Sequence, residues 1–138
     1  MKKNNKAPIP LKGKGKILVM DDDETVRDIT VKMLKEIGYE VTLASEGAEA
    51  LELYKAAGEL GQTFAAVIMD LTIPGGMGGR ETARRLYEID PGVKAIVASG
   101  YAYDPVMVEF RKYNFCGAIV KPYQIDELNE LLHEIIGE

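Results

Sequence analysis

The chain has 138 residues and a mass of 15.2 kDa, enough for one domain with a single two- or three-layer core. Hydrophobic residues make up 46% and charged residues 28%, a balance typical of a soluble globular protein. The longest apolar stretches have about five residues, too few to cross a membrane. The basic N-terminus lacks the apolar region of a signal peptide, so we expect a cytoplasmic protein with no membrane partner.

The net charge of -5 is unevenly distributed along the chain. Six of the 17 basic residues and none of the 22 acidic residues precede Ile17, so the body that follows has a formal charge of -11. An acidic body argues against direct contact with nucleic acid, because phosphate contacts need a basic surface. Residues 1–15 also contain glycine and proline, which predicts a flexible basic leader or linker ahead of one domain at 16–138.

Short apolar runs alternate with amphipathic stretches from residue 16 onward. This alternation predicts an α/β fold, a doubly wound parallel sheet of five strands with five helices in an α/β/α sandwich. The predicted strands, in chain order, are Lys16–Met20, Glu40–Ala44, Phe64–Met69, Lys94–Ala98 and Ala118–Val120.

The predicted helices, in chain order, lie at residues 26–37, 48–54, 83–89, 106–113 and 125–136. Asp23 is a candidate N-cap for the first helix, and Gly38 is its expected C-terminal stop. The fourth helix begins at Asp104 and Pro105, which suits an N-cap followed by proline at the first helical position.

Two of the predicted strands stop on acidic residues. The first is followed by Asp21, Asp22 and Asp23, and the third by Asp70. If these strands are neighbours in a parallel sheet, their carboxylates converge at its C-terminal edge, where open α/β folds place ligands. Three carboxylates held together repel, so either their pKa values rise or a hard cation binds among them. Mg²⁺ suits such a site because it binds few carboxylates directly and keeps several waters.

The ends of the next two strands add a hydroxyl and an amine. Ser99 follows the fourth strand, and Lys121 follows the fifth. With a cation bound, Asp70 is suited to act both as a metal ligand and as a nucleophile that attacks phosphorus to form an acyl phosphate. Mg²⁺, the Lys121 ammonium and the Ser99 hydroxyl are each suited to cover one phosphoryl oxygen. The set predicts phosphoryl-transfer chemistry at this edge.

Four runs of the sequence together resemble the receiver domain of two-component response regulators. They are ILVMDDD at 17–23, VIMDLTIPGGMGG at 67–79, IVASG at 96–100 and IVKPY at 119–123. No single run is specific, but the ordered set is, and the resemblance spans nearly the whole chain. It implies a flavodoxin-like fold with strand order 2-1-3-4-5 and a role in a two-component phosphorelay.

The resemblance also implies a role for each acidic residue. Asp70 corresponds to the phosphoacceptor, which a histidine kinase or a phosphotransfer domain phosphorylates. Asp21 and Asp22 correspond to the acidic metal pair, and Thr72 stands where the family supplies a metal ligand through a backbone carbonyl. The implied cofactor is Mg²⁺, with Mn²⁺ as a substitute.

The hydroxyl and the amine have counterparts in the family as well. Ser99 corresponds to the switch hydroxyl, and Lys121 to the family's active-site lysine. Pro122 corresponds to a proline that follows a cis peptide bond, and an X-Pro bond is the one common place for such an isomer.

Two features depart from the family pattern. Ala118 stands three residues before the lysine, where an aromatic residue often couples to the switch hydroxyl. Tyr101 and Tyr123 are the nearby candidates to move instead, although packing on the last strand is the simpler reading of Tyr123. The loop at 75–79 contains four glycines. It is either a segment that phosphorylation orders or a turn that needs positive φ.

The combined hypothesis is a receiver domain in which phosphorylation of Asp70 draws in Ser99 and switches a protein-protein interaction surface. The output is an unknown partner protein or a fused domain, and a homodimer formed on phosphorylation is a further candidate. The alternative is a receiver module from a hybrid histidine kinase, whose parent chain is the enzyme, so the enzyme status stays open. A degenerate receiver that only docks is disfavoured by the complete set of acids, hydroxyl and lysine.

Overall fold

The computed structural model describes residues 9–137, and its centre is one five-stranded sheet. The strands are β1 (Lys16–Met20), β2 (Glu40–Ala44), β3 (Ala66–Asp70), β4 (Ala95–Ser99) and β5 (Gly117–Val120). Neighbouring strands are parallel and lie in the order β2-β1-β3-β4-β5, so the predicted fold class is confirmed. β3 and β4 include Asp70 and Ser99 as their last residues, one position later than the sequence predicted.

Five helices connect or follow the strands. They are α1 (Glu24–Ile37), α2 (Gly47–Glu59), α3 (Gly79–Ile89), α4 (Pro105–Val108) and α5 (Ile125–Ile136). The Asp23 carboxylate accepts hydrogen bonds from the N–H groups of Thr25 and Val26 at 2.9 and 3.2 Å, which satisfies donors that a helix start leaves unpaired. Gly38 ends α1 with a φ of 127°, which glycine adopts without strain. The predicted cap and stop are both confirmed.

The fourth helix is shorter than the sequence predicts. Asp104 caps it and Pro105 occupies its first turn, as expected, but the α-helix ends at Val108. A 3-10 turn then covers the residues from Phe110 to Tyr113. Residues three apart lie on one face of a 3-10 turn, so Phe110 and Tyr113 both pack against the core. The apolar spacing that indicated one continuous helix therefore belongs to two short pieces.

Helices cover both faces of the sheet. One face packs against α1 and α5 through apolar side chains that include Leu34 and Leu128. The other packs against α2, α3 and α4 through side chains that include Leu51, Leu86 and Met107. Because both faces are covered, the central strands are apolar along nearly their whole length. Within residues 9–137, no helix is both long enough and apolar enough to cross a membrane.

The leader is held against the body from residue 9 onward. The side-chain amide of Asn129 in α5 donates to the carbonyl oxygens of Ile9 and Pro10 at 3.1 and 3.4 Å. The N–H of Gly13 donates to the carbonyl oxygen of Ile37 at 2.8 Å. Residues 1–8 lie outside the described residues, and the division into a leader and a domain stays a prediction.

The register of the sheet brings the polar strand ends to one edge. Met20 in β1 lies beside Met69 in β3, and Ser99 in β4 lies beside Val120 in β5. These four strands therefore end at about the same level along the strand direction. The residues placed along this C-terminal edge are Asp21, Asp70, Ser99 and Lys121.

Candidate functional site

Three carboxylates meet at the C-terminal edge of β1 and β3. Oxygen atoms of Asp21, Asp22 and Asp70 all lie within 4.8 Å of one another. Asp21 is only 4% exposed, and its Oδ1 accepts the backbone N–H of Asp23 at 2.9 Å, which fixes its orientation. Asp22 is exposed at the mouth of the cluster. Asp23 is not part of the cluster, because its side chain caps α1.

Lys121 reaches the carboxylates from the end of β5. Its Nζ donates a hydrogen bond to Asp21 Oδ2 at 3.1 Å and lies 3.4 Å from Asp70 Oδ1. The structure thus places Asp21, Asp22, Asp70 and Lys121 next to one another, and their roles in a site stay a prediction. Three carboxylates face one ammonium, so without a bound metal ion their negative charges outnumber the positive charge.

The electrostatics of the cluster show the cost of this excess. Burial and the neighbouring charge of Asp21 raise the pKa of Asp70, and they outweigh Lys121 and the backbone N–H of Thr72, which act to lower it. Burial acts to lower the pKa of Lys121, but the charges of Asp70 and Asp21 outweigh it, so that pKa is raised. Lys121 is therefore a cation at neutral pH, and the crowded carboxylates favour the binding of a second cation.

Ser99 lies at the same C-terminal edge of the sheet, and its hydroxyl already forms a hydrogen bond. The side chain is buried, and its Oγ accepts the backbone N–H of Tyr101 at 3.1 Å. In that bond the hydroxyl is the acceptor, so its own proton stays available for donation. Tyr101 itself extends into solvent.

The remaining residues predicted for the site lie around it. The backbone N–H of Thr72 contacts the Asp70 carboxylate while the Thr72 side chain is exposed, and the role of its carbonyl as a ligand stays a prediction. The peptide bond between Lys121 and Pro122 is cis, as the resemblance implied. Ala118 in β5 is half-buried and packs against the core on the α4 side.

The glycine-rich loop after β3 is closely packed against the site. A Cβ atom at Gly78 would lie 2.5 Å from the carbonyl oxygen of Leu71, and one at Gly79 would lie 2.8 Å from that of Asp70. These glycines are needed for close approach, whereas positive φ in this loop occurs only at Gly75. The expectation of a turn that needs positive φ therefore holds for one glycine, and the loop packs directly on the backbone of the acidic strand end.

A buried polar pair beside the site was not predicted. Thr30 Oγ1 and Tyr123 Oη lie 2.7 Å apart, between α1 and the loop that follows β5. Sequence reasoning assigned Tyr123 to packing and gave Thr30 no role. The available signal was that Thr30 lies one helical turn after Val26 and one before Leu34, within the apolar face of α1.

The sequence profile of the response regulator receiver domain matches residues 17–133 of the chain. The chain belongs to this family. The match covers every strand except the first residue of β1, and it includes the whole acidic cluster and Lys121. The resemblance drawn from the four sequence runs is confirmed.

Two similar proteins come from Brucella abortus (strain 2308). Sensor kinase CckA is 33% identical over 126 residues, which are 91% of this chain and 13% of the kinase. Response regulator receiver protein CpdR is 32% identical over 123 residues, which are 88% of this chain and 98% of CpdR. The crystal structure of response regulator protein TrrA from Thermotoga maritima, in complex with Mg(2+)-BeF, has a TM-score of 0.73 and 28% identity, covering 88% of this chain and 99% of TrrA.

The chain is therefore a receiver domain of a two-component system. Its relatives include both a segment of a sensor kinase and a response regulator receiver protein matched over nearly its whole length, so they do not favour the alternative of a module from a hybrid histidine kinase. Receiver domains take phosphoryl groups from histidine kinases or phosphotransfer proteins and bind Mg²⁺ at an acidic cluster. This chain has such a cluster in Asp21, Asp22 and Asp70.

Proposed function

We propose that this receiver domain accepts a phosphoryl group on Asp70 from a histidine kinase or a phosphotransfer domain, in a Mg²⁺-dependent reaction. One observation carries the proposal: the half-buried Asp70 lies between two further carboxylates and the ammonium of Lys121. The proposal includes a cytoplasmic location, because a phosphodonor that is charged from ATP acts where ATP is supplied.

The donor set fits Mg²⁺. All the available ligand atoms are hard carboxylate oxygens, and they lie close enough together for one small ion. Asp21, Asp22 and Asp70 would hold it, and the family pattern adds the carbonyl of Thr72. When bound, the ion supplies positive charge opposite the phosphoryl oxygens. Mn²⁺ accepts the same oxygen ligands, so we propose it as a substitute.

The residues of the chain divide the transfer among them. One Asp70 oxygen forms a bond to phosphorus while the bond from phosphorus to the donor imidazole nitrogen breaks. The imidazole keeps that electron pair and takes up a proton from solvent. The Lys121 ammonium neutralises charge on one phosphoryl oxygen, and the free proton of Ser99 is donated to another. None of these groups replaces another, because only Asp70 is placed as a nucleophile and only Lys121 is a cation.

Phosphorylation gives Ser99 a new acceptor and so changes the segment that follows it. In this structure the Ser99 hydroxyl accepts a hydrogen bond from the N–H of Tyr101. The rings of Tyr101 and Tyr103, in the segment that follows Ser99, are exposed. We infer a population shift between two packings that alters the surface of α4, β4, β5 and α5. The small side chain of Ala118 leaves Tyr101 as the aromatic residue nearest in sequence to the switch hydroxyl. The proposed output is contact with another protein, a fused domain or a second phosphorylated copy.

The test is phosphorylation by acetyl phosphate, a donor that needs no protein contact. We expect intact-mass measurement to show the gain of one phosphoryl group with Mg²⁺ present and none in a chelator. Beryllofluoride with Mg²⁺ should change the spectrum of the protein under the same conditions. No mass gain with Mg²⁺, or an equal gain in the chelator, would contradict the proposal.

We propose that the protein donor docks over an apolar groove beside the site. Val26, Ile29, Pro122 and Tyr123 line this groove next to Lys121. Ile29 is 50% exposed on α1, although its side chain is large and apolar. A donor must bring its phosphorylated histidine to the carboxylates beside Lys121, so its surface covers the bordering groove.

We expect Ile29→Ala to slow transfer from a phosphorylated histidine phosphotransfer domain by about tenfold, because one apolar contact of the docked complex is lost. The rate with acetyl phosphate should stay unchanged, since that donor does not use the groove. Ile89→Ala is the matched control, because Ile89 is 43% exposed at the end of α3. An equal loss in both variants, or a loss with acetyl phosphate, would count against this docking surface.

A further inference from the structure

The hydrogen bond between Thr30 and Tyr123 joins two segments that carry site residues. The two oxygens lie 2.7 Å apart, and the residues are 1% and 8% exposed. Thr30 belongs to α1, which follows the loop of Asp21 and Asp22 directly. Tyr123 lies two residues after Lys121 in the loop between β5 and α5. The bond therefore connects the helix behind the metal pair to the loop that carries the ammonium.

The pair is more than a means of filling space. The Tyr123 ring lies within the apolar cluster between the sheet and α1 and α5, where a phenylalanine ring and a valine side chain would pack without any polar group. Burying two hydroxyls is favourable only when each has its partner, so the pair selects one distance between the loop and α1. A purely apolar contact, which has no direction, would leave that distance less sharply defined.

The position of the Lys121 ammonium depends on where its backbone is held, because the side chain is long and water competes with the carboxylates for the ammonium. Its backbone N–H donates to the carbonyl of Ser99 at 2.8 Å, which fixes the loop on the β5 side. The Tyr123 hydroxyl fixes the loop on its other side. Between these two anchors, the Lys121 side chain leaves the backbone toward Asp21 and Asp70.

We propose that Thr30 and Tyr123 are positioning residues for phosphoryl transfer, which act by holding the Lys121 loop against α1. The proposal rests on the proposed function of Asp70 as phosphoacceptor. It requires that the pair affect the rate of transfer rather than the binding of Mg²⁺. Asp21, the buried member of the metal pair, is oriented independently of it, through the bond from the Asp23 N–H to Asp21 Oδ1.

The test measures the maximal rate of phosphorylation by acetyl phosphate and, separately, the affinity for Mg²⁺. We expect Thr30→Val and Tyr123→Phe each to lower the rate about three- to tenfold, the factor that corresponds to one net hydrogen bond. The double variant should lose no more than the single variants, because all three lack the same bond. Thr30→Ser keeps the hydroxyl and should restore the rate. Mg²⁺ affinity should stay within twofold of the wild type, an approximate limit for an unperturbed metal pair.

Tyr54→Phe is the matched control. Tyr54 is also a buried tyrosine, 7% exposed, and its hydroxyl donates to Asp90 at 2.6 Å on the opposite face of the sheet. It should lose comparable stability with no change in phosphorylation rate. Wild-type rates in Thr30→Val and Tyr123→Phe, or an equal fall in Tyr54→Phe, would overturn the positioning role while leaving Asp70 as phosphoacceptor. A wild-type protein that takes up no phosphoryl group would overturn both proposals.

Discussion

The Asp70→Asn variant is expected to take up no phosphoryl group from acetyl phosphate under conditions in which the wild type is fully labelled. An amide oxygen is a much weaker nucleophile than a carboxylate, and the product would lack the acyl phosphate bond. The buried Asp21 does not substitute, because it already accepts hydrogen bonds from Lys121 and from the Asp23 N–H. Intact-mass measurement after incubation with Mg²⁺ checks the result directly.

The same substitution should stabilise the protein when no divalent cation is present. Burial and the charge of Asp21 raise the pKa of Asp70 above its unfolded-state value. A group of this kind contributes stability that is fully present below the unfolded pKa and is lost as the pH rises through the folded pKa. Asparagine carries no charge, so its advantage in unfolding free energy is largest at neutral pH and shrinks on acidification. Thermal unfolding in a chelator at several pH values measures this difference.

Asp23→Asn is the control for the loss of an acid near the site. Asparagine caps a helix about as well as aspartate, so α1 should remain intact. Because Asp23 lies outside the carboxylate cluster, this variant should be phosphorylated at close to the wild-type rate. Full labelling of Asp70→Asn would show that another residue is the phosphoacceptor, and equal loss in Asp23→Asn would show that the assay reports helix integrity.

Most of the fold was predictable because its sheet is covered on both faces. Buried parallel strands give short continuous apolar runs, and these runs located β1 to the residue and β3 and β4 to within two residues. The edge strand β2 is polar at two of its five positions and only its last residue is buried, so burial on both faces does not explain why its bounds were also predicted to the residue. The α4 region was not predictable in the same way. Phe110 and Tyr113 are three residues apart, a spacing that an α-helix and a 3-10 turn both bring to one face.

The chemical core of the site was predictable because its residues stand at strand ends, and a parallel sheet brings strand ends together whatever the loops do. This placed Asp21, Asp70, Ser99 and Lys121 at one edge. The pair of Thr30 and Tyr123 was not predictable from spacing, because 93 residues separate them and only the packing of α1 on the loop brings them into contact. Residues that support a site through tertiary contacts leave a weaker signal than those that react.

Lys121→Gln is expected to lower the rate of phosphorylation by about 10² to 10³, the usual effect of removing one group that stabilises developing charge in a transition state. Glutamine keeps a hydrogen-bond donor but not the charge that now lies 3.4 Å from Asp70. The pKa of Asp70 should rise further, because Lys121 is one of the two groups that act to lower it. Single-turnover kinetics with acetyl phosphate at saturating Mg²⁺ measures the effect on transfer.

Affinity for Mg²⁺ should move in the opposite direction in this variant. The Lys121 ammonium donates a hydrogen bond to Asp21 Oδ2 at 3.1 Å and repels a second cation. Without that ammonium, all three carboxylates are available to bind Mg²⁺. Lys112→Gln is the matched control, since Lys112 is exposed and pairs with Glu109 on the surface. A lysine that merely stabilised the fold would weaken transfer and metal binding together. A lower rate combined with equal or tighter Mg²⁺ binding is therefore the result that assigns Lys121 to the transferring phosphoryl group, and a parallel loss of both would contradict it.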